Sequence, residues 1–110
     1  MNLESKGYKL YKTEEFMNSG TSQFYQRKVD TSGLRIPLCN LNEALFLNIT
    51  KYDYYVTSDF HLSYEISLTH ENQFGAWCDL KIYSISDKML EDNLAHYENQ
   101  LLRMWKEFNK

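Results

Sequence analysis

Three histidines, two cysteines and a scatter of carboxylates are the side chains of this sequence best suited to chemistry. His61 and His70 lie nine residues apart on a segment that reads as one strand. Extended chain separates them by roughly 30 Å, too far to share a metal. His96 follows Asp92 by one helical turn and makes half a metal site with it. A zinc site needs a third and a fourth ligand, and none recurs at ligand spacing. The pair therefore reads as a solvated helical contact.

Cys39 and Cys78 form no C-x-x-C motif. A nucleophilic cysteine needs a base and an electropositive setting, and nothing beside either one supplies them. Cys78 falls on the apolar phase of a strand and reads as a small buried side chain. Cys39, after Pro37 and Leu38, reads as the more accessible. Reduced thiols are the expectation, a disulfide between strands the alternative. Glu14 with Glu15, and Glu91 with Asp92, are chain neighbours that point apart on a helix and cannot act on one bond. The glycines, at 7, 20, 33 and 75, build neither a P-loop nor a dinucleotide fingerprint. No serine has a nucleophile-elbow context. The chain reads as non-enzymatic, with no cofactor and no metal.

Composition narrows the partner class. A length of 110 residues implies one domain, residues 1–110, and the 43% apolar fraction implies a folded one. The net charge of −3, without a basic cluster, argues against a nucleic-acid partner, because phosphate neutralisation supplies most of such affinity. No apolar run is long enough to span a membrane, and residues 1–12 are charged, without a signal-peptide core. A cytoplasmic protein is expected. Asn, Lys, Tyr, Phe and Ile are frequent while Ala, Gly, Pro and Arg are scarce. That bias follows AT-rich codons and suggests an AT-rich bacterial genome, or a phage or mobile element that lives in one.

The elements that must position these residues are mostly strands. Residues 1–22 carry no clear period, although Tyr8, Leu10 and Phe16 are available to a core. A strand is predicted over 23–29, ended by Asp30-Thr31-Ser32-Gly33. Over 43–56, Leu45, Leu47 and Ile49 alternate with Phe46, Asn48 and Thr50. After a turn at Ser58-Asp59, Tyr64, Ile66 and Leu68 face inward while Ser63, Glu65, Ser67 and Thr69 face water. A loop over 71–75 returns the chain into 76–85, with Cys78, Leu80 and Ile82 inward and Trp77, Lys81 and Tyr83 outward.

Residues 86–109 predict a helix. Ser86 is its N-cap, Ile85 and Leu90 are spaced as a hydrophobic staple, and Asp87 suits the positive end of the dipole. Its apolar stripe is Leu90, Leu94, Tyr97, Leu101, Met104, Trp105 and Phe108. The fold class expected is α+β: an antiparallel β-meander of about four strands over 23–85, with the long amphipathic helix packed on one face. A projecting helix end that pairs with another copy is the alternative.

Aromatic residues make up 15% of the chain, more than the expected core needs. Tyr52, Tyr54, Trp77 and Tyr83 fall on the sheet face away from the helix and are the candidate partner-binding set. The alternative is a second core layer, made by the N-terminal segment folding over that face. The leading functional expectation is a small protein-binding module, of the kind a mobile element uses to inhibit or redirect a host protein. Two others stand beside it. One is a small-ligand or nucleotide site between sheet and helix, lined by Tyr64, Leu80, Tyr97 and Met104. The other is a homodimeric structural protein.

Overall fold

The computed structural model describes residues 2–16, 20–30, 44–56, 59–72 and 75–108. A 3-10 turn, Glu4–Lys6, leads into β1 (Lys9–Phe16), followed by β2 (Gly20–Lys28), β3 (Ala44–Val56), β4 (Asp59–Asn72), β5 (Gly75–Ile85) and α1 (Asp87–Phe108). The strands pair in chain order, β1-β2-β3-β4-β5, and every pairing is antiparallel. This is the expected α+β meander with its C-terminal helix, widened from about four strands to five.

The extra strand lies in the segment whose period was unreadable. β1 is an edge strand exposed on both faces for most of its length, so no apolar alternation marks it. A bulge between Leu10 and Lys12 interrupts what phase remains. β2 begins at Gly20, three residues before the predicted start. Among the described residues, the N-terminal segment joins the sheet as β1 and does not fold over its far face. Leu3 and Tyr8 are buried in the core on the helix side instead.

The core follows the strand period. Leu45, Leu47 and Ile49 of β3 lie opposite His70, Leu68 and Ile66 of β4, which places these side chains on one face. The β3 trio, Ile66 and Leu68 are fully buried. From α1, Leu90, Leu94, Leu101 and Trp105 close over them. Met104, assigned to the apolar stripe, is exposed, and Leu102 takes part in the packing. Phe16, Phe108 and Cys39 lie outside the described side chains, as do Thr31-Ser32-Gly33 and Pro37.

The helix starts where its cap predicts. The Met89 N–H donates to Ser86 Oγ at 3.2 Å, and Ile85 and Leu90 are both buried as a staple requires. One irregularity was not read. Asn93 leaves helical backbone (φ −128°, ψ 18°), and its side-chain amide donates to the Met89 carbonyl at 3.1 Å. An Asn side chain that competes for the carbonyl one turn back is the physical cause of such a kink.

Candidate functional site

The face away from the helix is less wet than its polar residues predict. Ser22, Asn48, Thr50, Glu65 and Ser67 are buried there, because they are short or centrally placed and their cross-strand neighbours shield them. Asn48 and Glu65 are paired across strands, while the buried Ser22 Oγ has no hydrogen-bond partner among the described residues. Gln26 Nε2 donates to Asn48 Oδ1 at 3.0 Å, and Asn48 Nδ2 donates to Thr69 Oγ1 at 2.9 Å. The Tyr52 hydroxyl donates to Glu65 Oε2 at 2.6 Å, and Lys81 Nζ meets Glu65 Oε1 at 2.6 Å. Lys81 also lies over the Tyr83 ring, 5.4 Å from its centroid. Burial first, then the bond to Glu65, pushes the Tyr52 phenol up to about 12. A buried carboxylate held by a phenol and an ammonium is a satisfied structural network. Tyr52, one of the expected partner-binding residues, has its polar end committed inside it.

The second half of that expected set is divided by a bulge. β5 shifts register between the pairs Leu68↔Leu80 and Thr69↔Cys78, so Asp79 is the extra residue. Every side chain before it changes face. Trp77 therefore lies opposite His70, on the helix side, with the two rings stacked at 5.1 Å. Cys78, predicted inward, is exposed on the far face with a free thiol. Of the four residues Tyr52, Tyr54, Trp77 and Tyr83, only Tyr54 and Tyr83 combine exposure with a place on the far face.

Between sheet and helix, the four residues of the ligand-pocket reading do different things. Tyr64 is buried and donates its hydroxyl to Asp87 Oδ1 at 2.8 Å. Leu80 and Tyr97 pack against the core, while Met104 faces out. A groove of about 290 Å³ does lie beside α1, but Lys6, Arg27, Glu91, Asp92, Leu94, Ala95 and Glu98 line it. At its wall, Glu98 Oε2 accepts from both the Tyr8 hydroxyl and Arg27 Nη2, each at 2.6 Å. Arg27 lies over the Tyr8 ring as well. This triad joins the N-terminal segment, β2 and the helix.

Among the described residues, the largest gathering of exposed rings is at the end of the β3–β4 hairpin. Tyr54 lies opposite His61 and Tyr55 opposite Phe60. The first pair stacks at 5.2 Å with 15° between planes, and the second meets edge to face at 5.4 Å. Tyr55 and Phe60 are each 54% exposed and Tyr54 is 37% exposed. Alternation sends Tyr54 and His61 to the far face, Tyr55 and Phe60 to the helix side. Thus both sides of one hairpin end carry aromatic surface. Sequence reasoning named Tyr54 alone. The sequence put the turn at Ser58-Asp59, but Asp59 already pairs with Val56, and that register sets Tyr55 against Phe60 and Tyr54 against His61.

The same register separates the histidines. His61 and His70 lie on opposite faces of β4, nine residues apart. Among the described residues, no three His, Cys, Asp or Glu side chains are grouped to hold a metal ion. Nor is any helix of the described residues long and apolar enough to cross a membrane. Comparison with protein-family models, with curated proteins and with solved structures finds no match for this chain.

Proposed function

We propose that this chain is a stoichiometric protein-binding module that docks through the β3–β4 hairpin end of its sheet. The observation that carries the reading is the cluster Tyr54, Tyr55, Phe60 and His61, four rings held in two cross-strand pairs and largely open to solvent. Ring pairs fixed on a β-ladder lose little freedom on binding, and aromatic anchors dominate the energy of protein interfaces. An exposed patch of this kind costs solubility unless something covers it. Tyr83 adds a further exposed ring on the far face. The AT-codon bias supports, as part of the same proposal, a mobile-element protein that binds and inhibits or redirects a host protein. A second copy of the chain is the competing partner and would use the same rings.

Affinity capture from the lysate of a bacterium with an AT-rich genome tests the reading, with light scattering to fix the oligomeric state. Tyr55→Ser with Phe60→Ser should abolish capture while the far-UV circular dichroism and urea midpoint stay near the parent's. Undiminished capture by that folded variant overturns the assignment. A dimer in light scattering that the same substitutions dissociate replaces the foreign partner with a second copy.

A further inference from the structure

We propose that the helix-side half of this hairpin end is a receptor for a cationic peptide segment presenting arginine or lysine side chains. The inference rests on the protein-binding reading and names the chemistry of its partner. Glu15, Thr21 and Asp53 stand opposite one another across β1, β2 and β3, on the helix side of the sheet. The two carboxylates flank the small Thr21 at roughly twice the strand spacing, about 10 Å. Tyr55 and Phe60 occupy the next position outward on the same face. The helix leaves this shelf open. It begins at Asp87, tied to Tyr64, and packs on β4 and β5. Glu15 is accordingly exposed, and Thr21 and Asp53 are half-buried.

Charge selects the occupant. On the helix side of this end Glu15 and Asp53 stand with one cation among the described residues, Lys51, while Glu14, Lys12 and Asp59 alternate to the far face. Lys12 pairs with Glu14 at 2.6 Å, and Lys51 only reaches Asp53 at 4.0 Å. Glu15 has no ion-pair partner among the described residues. The Glu15 and Asp53 carboxylates, with two open rings one position farther out on the same face, match a guanidinium on both counts. Its forked N–H groups fit a carboxylate, and its flat face stacks on an aromatic ring. Lysine satisfies the same charges with one ammonium. An acidic segment would place like charges together and is rejected.

The test titrates the full chain with hexa-arginine and with hexaglutamate peptides at low salt. Hexa-arginine should bind, and hexaglutamate should not. Glu15→Gln with Asp53→Asn should weaken hexa-arginine binding at least tenfold, and Phe60→Ser should weaken it several-fold. Glu91→Gln with Asp92→Asn makes the same charge change on the exposed face of the helix and should alter it less than twofold. The single variant Glu15→Gln, on an exposed edge, keeps the test readable should the double variant unfold; it should weaken binding at least threefold. No binding of hexa-arginine, equal binding of hexaglutamate, or an equal effect of the helix control overturns the proposal. If hexa-arginine fails while Tyr55→Ser with Phe60→Ser still abolishes lysate capture, the docking surface stands and its cationic partner falls. If both fail, both readings fall.

Discussion

Glu98 accepts two charge-assisted bonds on a single oxygen, which tie the N-terminal segment, β2 and the helix together. Removing it leaves Arg27 without its anion and the buried Tyr8 hydroxyl without an acceptor. Glu98→Ala should therefore cost about 1–3 kcal/mol, measured by urea unfolding, with Glu98→Gln losing less because an acceptor oxygen remains. Tyrosine ionisation supplies a second test. The Tyr52 phenol is raised to about 12 by burial and by its bond to Glu65, and burial with carboxylate acceptors raises Tyr8 and Tyr64 further. The folded state thus holds protons that the unfolded chain releases near pH 10. Stability should be whole below pH 10 and fall as pH rises through 12. Tyr52→Phe should shallow that fall in pH-dependent urea midpoints; an unchanged slope would place the phenol in water.

At the scale of elements, what was legible depended on whether one face was apolar and the other polar. β3, β4 and α1 each set apolar side chains on one side against polar ones on the other, so their periods of two and 3.6 were clear, and β4 even shows the expected inward trio. β1 buries little and was missed. β5 was found, but its inward and outward sets were exchanged before Asp79, because a bulge leaves no period of its own to read. That one inserted residue moved Trp77 and Cys78 to the faces opposite those predicted. The helix start was legible because capping is local chemistry. Ser86→Ala should lose the bond to the Met89 N–H and destabilise the protein by about 1 kcal/mol, while Ser86→Asp should retain most of it. Equal urea midpoints for parent and Ser86→Ala would show that the staple of Ile85 and Leu90 alone sets the helix start.

For the molecule as a whole, the candidate site depends on how β1, β2 and β3 are brought together at one end, which is a long-range fact that no local pattern carries. Gly20 is where this register is enforced. It has φ +147°, and a Cβ there would lie 1.9 Å from the Asp53 carbonyl oxygen and 2.6 Å from the Tyr54 Cα. Both are backbone atoms of the strand that carries the exposed rings, so neither can turn aside. Gly20→Ala must push β2 away from β3 at the hairpin end, and we expect a loss of about 1–3 kcal/mol, the usual cost of an overpacked contact. Gly75 offers the comparison, since its φ is +144° but the nearest side-chain atom, on Trp77, is 4.0 Å away. Gly75→Ala carries backbone strain without the collision and should cost about 1 kcal/mol. The two variants also separate stability from function. Gly20→Ala should speed hydrogen exchange at the amides of residues 20–22 and 52–54 and weaken partner capture, although it removes no ring. Gly75→Ala, at the opposite end of the sheet, should leave both unchanged. If Gly20→Ala unfolds no more easily than Gly75→Ala and captures as well as the parent, the rings act without the register, and the hairpin end alone, separate from β2, is the binding unit.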